Sequence, residues 1–139
     1  MKVTASLVNE LRKKTGAGMM DCKKALVEAE GDMETAIDLL RKKGQKVAAK
    51  RGDNETKEGL VIAKTVDGNK KGIILSLSCE TDFVAKNSDY YAFVDSLVDA
   101  AIANGVNSVE DFVASQFDDK LTVEEKLTEQ IGVIGEKLE

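Results

Sequence analysis

The residues best suited to chemistry are an adjacent acid and aromatic, Asp82 and Phe83, within the segment Thr81–Lys86. An apolar run that alternates like a strand, Ile73–Cys79, comes just before this segment, and a long helical pattern begins at Ser88. An acid and an aromatic at a strand-to-helix turn present a charge and an apolar wedge from a rigid scaffold. Such a pair is better suited to prising another molecule open than to making or breaking bonds.

The rest of the sequence lacks the histidines and the motifs on which many catalytic and metal sites depend. It has no histidine, and its two cysteines, Cys22 and Cys79, are far apart, which argues against zinc sites and against Ser-His or Cys-His nucleophile pairs. Both cysteines fall on apolar faces and are predicted to be buried, reduced thiols. No phosphate-loop, dinucleotide or calcium-loop pattern occurs. The sequence therefore predicts a protein that acts by binding, without enzymatic chemistry, cofactor or metal.

Length and composition indicate a globular protein with two surfaces of opposite charge. A chain of 139 residues fits one domain, or a small domain beside a modest one, and 42% hydrophobic with 32% charged residues argues against disorder. No apolar run approaches a membrane span and no signal peptide is present, so a cytoplasmic protein is predicted. Residues 1–51 carry a net charge of +5 and residues 52–139 carry −10. This split favours two modules.

The first module is predicted to contain three short helices. Thr4 is a candidate N-cap and Gly16 a candidate C-cap of the first helix, and a second helix is expected around Asp21–Ala29. Asp32 is positioned to cap a third helix, whose basic end is expected near Lys43. Gly44 to Gly59 is interpreted as a short helical continuation to about Arg51 followed by an exposed linker.

The second module is predicted to pack helices on an antiparallel hairpin. Leu60–Val66 and Gly72–Cys79 flank the turn signal Asp67-Gly68-Asn69. The helix from Ser88 to about Asn104 is expected to offer one apolar face to the hairpin: Phe93, Val94, Leu97, Val98 and Ala101. Capping-box patterns at Ser108–Asp111 and Thr122–Glu125 predict two more helices.

Two long motifs resemble bacterial elongation factor Ts, the nucleotide exchange factor of the GTPase elongation factor Tu. The first is LRKKTGAGMMDCKKAL at Leu11–Leu26, and the second is CETDFVAK at Cys79–Lys86. Gly31-Asp32 and Ala36-Ile37 add to the similarity, which extends from Thr4 to the last residue.

The resemblance implies an α+β fold in two parts. A three-helix ubiquitin-associated-like module over residues 1–51 would be followed by a linker over 52–59 and by the first half of a core, dimerisation-type domain over 60–139. Family members usually continue well beyond this length, so the chain is expected to be an N-terminal portion whose exchange activity is in question.

The resemblance also implies a function and the residues that perform it. The chain would bind elongation factor Tu and promote GDP release, with Thr81, Asp82, Phe83 and Val84 intruding beside the Mg²⁺ site and Phe83 wedged between helices of the GTPase. Met19, Met20 and Arg12 are candidate further contacts with the GTPase. Direct contact with nucleic acid or membrane is not expected, whereas self-association through a truncated core stays open.

Each of these assignments has a plainer alternative. Phe83 would also fit as a core residue at a helix start, and Asp82 as a first-turn acid favoured by the helix dipole. For Met19 and Met20, the plainer alternative is that one of the two packs inward and the other has no special role. At the level of function, the chain could dock without exchanging nucleotide, or be a ubiquitin-type or nucleic-acid adaptor based on its small basic module. The Thr81–Lys86 motif argues against the adaptor.

Overall fold

The computed structural model describes residues 2–139, which form seven helices and one antiparallel hairpin. This composition confirms the predicted α+β class. In chain order the elements are α1 (Ala5–Thr15), α2 (Met19–Glu28), α3 (Met33–Arg51), β1 (Glu58–Val66), β2 (Lys71–Cys79), α4 (Asp82–Ala85), α5 (Ser88–Asn104), α6 (Val109–Ala114) and α7 (Val123–Ile134).

These elements divide into two compact units. The first comprises the residues up to Gly52 together with Thr128–Glu136, and the second comprises Asp53–Leu127 together with Lys137–Glu139. Helix α7 is therefore divided between the two units: its first five residues belong to the second unit and the rest to the first. The division into 1–51, 52–59 and 60–139, and the likeness of the first module to a ubiquitin-associated domain, stay predictions.

The helices of the first unit begin and end at local capping signals. The hydroxyl of Thr4 accepts a hydrogen bond from the Leu7 amide at 3.2 Å, and Gly16 closes α1 with a φ of 71°. The carboxylate of Asp32 accepts the Thr35 amide at 2.8 Å and starts α3. These caps confirm the predicted starts of α1 and α3. The core between the helices is formed by Val8, Leu11, Ala17, Cys22, Ala25, Leu26, Ala29 and Ala36.

Helix α3 runs without a break for 19 residues, from Met33 to Arg51. The predicted helical continuation to about Arg51 is confirmed, but it is part of the third helix, which does not end near Lys43. Gly44 lies inside this helix, although glycine disfavours a helix by about 1 kcal/mol relative to alanine. In the structure Gly44 is buried against Thr128 and Gly132 of α7, so tertiary packing outweighs its low propensity.

The second unit is built on the β1–β2 hairpin. Its register pairs Leu60 with Leu77 and Ile62 with Leu75, and the predicted turn residues Asp67, Gly68 and Asn69 all have positive φ. Strand β2 buries Leu77 and Cys79 on one face, as its alternation predicted.

Helix α5 covers this face of the hairpin. It spans Ser88–Asn104, as predicted, and its five predicted core residues are buried. Tyr90 is buried as well, and its hydroxyl donates to the Leu77 carbonyl at 2.6 Å. On the polar side, Lys64 of β1 lies 2.7 Å from Asp95 and 2.9 Å from Asp99, and these two carboxylates raise the pKa of Lys64. The hairpin and α5 thus form the scaffold from which the candidate site projects.

Both predicted capping boxes start helices. Thr122 and Glu125 cap α7 reciprocally, because the Thr122 amide donates to the Glu125 carboxylate at 2.8 Å and the Glu125 amide donates to the Thr122 hydroxyl at 3.2 Å. At the start of α6, the Ser108 hydroxyl accepts the Asp111 amide at 3.1 Å.

Candidate functional site

The segment Thr81–Lys86 forms a single exposed turn of helix between β2 and α5. Thr81 is extended, with φ −123° and ψ 153°, and the chain turns directly into α4. The Ala85 amide donates to the Thr81 carbonyl at 3.3 Å, and the Lys86 amide donates to the Asp82 carbonyl at 3.0 Å. Asn87 then caps α5 through a 2.8 Å bond from the Asp89 amide. The site is therefore a one-turn projection held at both ends by larger elements.

Phe83 points into solvent from this turn. Its side chain is 84% exposed, the highest value among the large apolar residues of the described chain that are exposed. The alternative that Phe83 is a core residue of this unit is therefore wrong. Exposing an aromatic of this size to water is unfavourable, and an exposed aromatic on a fixed turn is typical of a residue that becomes buried against a partner.

Asp82 lies beside Phe83 as an ionised carboxylate paired with Lys86. The Lys86 ammonium donates to the Asp82 carboxylate at 3.0 Å across one helical turn. The Lys86 side chain is mostly exposed, and the Asp82 side chain is about half exposed. The hydrogen bond and charge of Lys86 lower the pKa of Asp82, and the same pair raises the pKa of Lys86. Asp82 thus presents a negative charge at neutral pH, already held by a local cation.

Replacement of Lys86 by methionine is expected to raise the pKa of Asp82 toward the ordinary value for aspartate. The variant removes the hydrogen bond that favours the charged carboxylate while keeping a side chain of similar length. Carboxyl carbon shifts followed by NMR over a pH titration would measure the change. Asp32 is the internal control, because its pKa is lowered by hydrogen bonds from Thr35 and should not move. An unchanged Asp82 titration would show that Lys86 is not the cause.

The second set of candidate residues lies in the first unit. Met19 and Met20 are 51% and 63% exposed and occupy the first turn of α2, which begins two residues before the predicted start near Asp21. The alternative that one of them packs inward is not supported. Arg12 is exposed on α1. A flexible, polarisable Met pair on a helix surface is suited to an adaptable protein contact.

Two residues of interest were not predicted from the sequence. Val27 is 59% exposed on α2, seven residues after Met20 and so nearly on the same helical face. The spacing of Met20 and Val27 was the signal that could have revealed this pair. Glu80, which precedes the exposed turn, accepts hydrogen bonds from residues distant in sequence, and no local pattern indicates them.

The described residues offer exposed apolar side chains suited to binding another protein. Within residues 2–139 there is no cluster of three or more carboxylates and thiols placed to hold a metal ion. Nor does any helix in that range have the length and apolar character needed to cross a membrane.

The sequence of this chain is similar to that of known proteins. The family model for elongation factor TS matches residues 80–139, beginning at Glu80 and including the whole exposed turn. Elongation factor Ts of Christiangramia forsetii is 59% identical over 138 residues, 99% of this chain. Nearly the whole chain is therefore similar to part of elongation factor Ts. The proteins of the same name from Flavobacterium johnsoniae and Rhodopirellula baltica are 56% and 52% identical over 137 residues.

The similarity to elongation factor Ts covers this chain almost completely but the relatives only in part. The matched region is 49% of the Christiangramia forsetii protein, 42% of the Flavobacterium johnsoniae protein and 41% of the Rhodopirellula baltica protein. The chain thus spans about half the length of the curated relatives it matches, or somewhat less.

Proposed function

We propose that this chain binds the translation GTPase elongation factor Tu and promotes release of GDP by disturbing its Mg²⁺ and phosphate site. The exposure of Phe83 at the tip of the Thr81–Val84 turn is the observation that carries the proposal. Similarity to elongation factor Ts supports the choice of partner. The chain would act by binding in the cytoplasm, with no cofactor and no covalent step.

The energetic role of Phe83 follows from its exposure in the free protein. Its side chain would leave water only when the chain engages a GTPase conformation that opens a cavity for it. Burial of an aromatic side chain contributes on the order of 2–3 kcal/mol, which corresponds to roughly a hundredfold in affinity. If the cavity exists only in the nucleotide-free form, linkage requires that GDP binding be weakened by the same factor.

Asp82 would act on the polar contacts around the metal. Nucleotide affinity in a translation GTPase depends on a Mg²⁺ ion that bridges phosphate and protein. A carboxylate that approaches this site would compete with the oxygen ligands of the metal and would repel phosphate. The low pKa of Asp82 supports this role, because the group is charged before it meets the GTPase.

The first unit would add docking contacts. Met19 and Met20 expose apolar surface on α2, Arg12 adds a positive charge, and Val27 extends the surface by two helical turns. These residues would strengthen binding to all nucleotide states of the GTPase. They would therefore raise affinity without themselves favouring GDP release.

The second candidate is docking without exchange, since the chain spans about half of its relatives' length. Calorimetric titration of elongation factor Tu, nucleotide-free and GDP-bound, would separate the two. Exchange activity requires tighter binding to the nucleotide-free form, by about 5- to 150-fold if the coupling is of ordinary size. Equal affinity for both forms would support docking alone and contradict the proposed exchange function.

A further inference from the structure

The helical turn α4 lies against β1 and β2, but none of its four side chains is fully buried. A helix of one turn is unstable in isolation because its nucleation is unfavourable. The direction in which Asp82 and Phe83 point therefore depends on how the chain is held where it leaves β2 and enters α5. At the far side Asn87 caps α5.

Glu80 occupies the near side, between the end of β2 and Thr81. Its Oε1 atom accepts the Lys137 amide at 2.7 Å and the Asn54 side-chain amide at 3.1 Å. The two donors lie 57 and 26 residues away in sequence. Hydrogen bonds to an ionised acceptor are about twice as strong as neutral ones. One carboxylate therefore connects the start of the turn to two distant segments of the second unit.

The Lys137 segment is itself fixed to the sheet. The Ser78 amide donates to the Glu139 carbonyl at 2.7 Å, and the Glu139 amide donates to the Ser78 carbonyl at 3.0 Å, which is the bonding of an antiparallel pair. The Thr56 hydroxyl also donates to the Glu139 carboxylate at 3.0 Å. Glu80 thus binds to a segment already held by β2.

A second bond reinforces the same junction. The buried Cys79 thiol donates to the Thr81 carbonyl at 3.3 Å, the same oxygen that accepts the Ala85 amide. Glu80 and Cys79 are adjacent, and the side chains of both form hydrogen bonds at the peptide that leads into α4. The backbone between β2 and Asp82 is therefore held by two neighbouring side chains.

We infer that Glu80 is a positioning residue: its bonds to Lys137 and Asn54 fix the direction in which α4 presents Asp82 and Phe83. The consequence for nucleotide release rests on the proposed exchange function. The effect on the turn itself does not, and it can be measured in the free protein.

The test compares Glu80→Ala with Glu80→Gln in ¹⁵N-labelled protein. Glutamine keeps an oxygen that accepts the Lys137 amide, whereas alanine removes it. In Glu80→Ala, the backbone order parameters of Asp82–Ala85 should fall from about 0.85 to below about 0.6, and those of α5 should stay unchanged. Glu80→Gln should retain the parent values. Asn54→Ala removes one donor from the surface and should cause an intermediate loss.

A matched control is Glu110→Ala. Glu110 is an exposed carboxylate of the same unit for which the described residues provide no hydrogen bond or ion pair, so its removal should leave α4 unchanged. Unchanged order parameters in Glu80→Ala would overturn the inference, as would an equal loss in Glu80→Gln. If Glu80→Ala does not fold, the two variants Glu80→Gln and Asn54→Ala are compared instead. Order parameters of α4 that stay at the parent values in Asn54→Ala would then contradict the inference.

The rate of GDP release separates this inference from the proposed function. With elongation factor Tu, Glu80→Ala should be roughly tenfold less active and Glu80→Gln near the parent, because loss of orientation costs rate without removing any contacting group. A loosened α4 with full activity would overturn the link to exchange. Failure of the parent chain to accelerate release would contradict the proposed function, while the order parameters would still decide the role of Glu80 in the fold.

Discussion

Replacement of Phe83 by alanine is expected to reduce acceleration of GDP release by at least about tenfold, since burial of the ring would supply on the order of 2–3 kcal/mol in the complex. The free energy of unfolding should change by less than about 0.5 kcal/mol, because a side chain that is 84% exposed contributes little to the fold. Release of fluorescent GDP and a circular dichroism melt would measure the two effects.

Tyr91→Ala is the matched control for Phe83→Ala. Tyr91 is an aromatic of the same unit, 54% exposed on α5 and eight residues further along the chain. Its removal should leave both the rate of GDP release and the melt near those of the parent. Loss of the folded state in Phe83→Ala would show that the ring packs in the protein, and equal rates in the two variants would show that Phe83 has no special role.

Replacement of Gly44 by alanine is expected to destabilise the first unit by about 1–3 kcal/mol through overpacking. Helix propensity alone predicts the opposite, a gain of about 1 kcal/mol for alanine inside a helix. A Cβ at Gly44 would lie 2.6 Å from the Thr128 carbonyl oxygen, and a Cβ at Gly132 would lie 2.7 Å from the Gly44 Cα atom. The atoms that an added Cβ would meet belong to the backbone, so α3 and α7 would have to move apart to make room for it.

Gly52→Ala is the control for Gly44→Ala, because the same substitution is made where an added Cβ meets no close neighbour. Gly52 follows α3 with ordinary right-handed φ and ψ, and the nearest atom to an added Cβ is the Ala49 carbonyl oxygen at 3.7 Å. Alanine should therefore be neutral or stabilising there by up to about 1 kcal/mol. Urea unfolding curves would compare the variants. Similar stability of Gly44→Ala and Gly52→Ala would mean that α3 and α7 do not approach as closely as described.

Much of the fold could be predicted because its signals are local. The caps at Thr4, Asp32 and Thr122 depend on side chains within three residues of the helix start, and each one forms. The face of α5 that packs on the hairpin follows from helical spacing alone. The turn at Gly68 follows from three consecutive residues that tolerate positive φ.

The features that escaped prediction depend on contacts between distant residues. The close packing of Gly44 is with α7, a segment more than 80 positions later. The pairing of Ser78 with Glu139 and the bonds of Glu80 have the same origin. Sequence patterns describe neighbours along the chain, so they contain no information on these partners.

The candidate site was found from its residue types, but its exposure was not predictable. An aromatic at a helix start is compatible with both a core position and a surface position, and only the direction of α4 distinguishes them. Likewise the second helix was expected to begin near Asp21, whereas α2 begins at Met19. The role of Thr81–Val84 in nucleotide exchange is a proposal, which the exposure of Phe83 and the similarity to elongation factor Ts support.

The most direct test is the rate at which elongation factor Tu releases fluorescent GDP into excess unlabelled GDP, with and without this 139-residue chain at micromolar concentration. The proposed function predicts acceleration of at least about tenfold, since burial of Phe83 alone would supply on the order of 2–3 kcal/mol in the complex. A release rate that stays unchanged at concentrations where the chain is bound would contradict it.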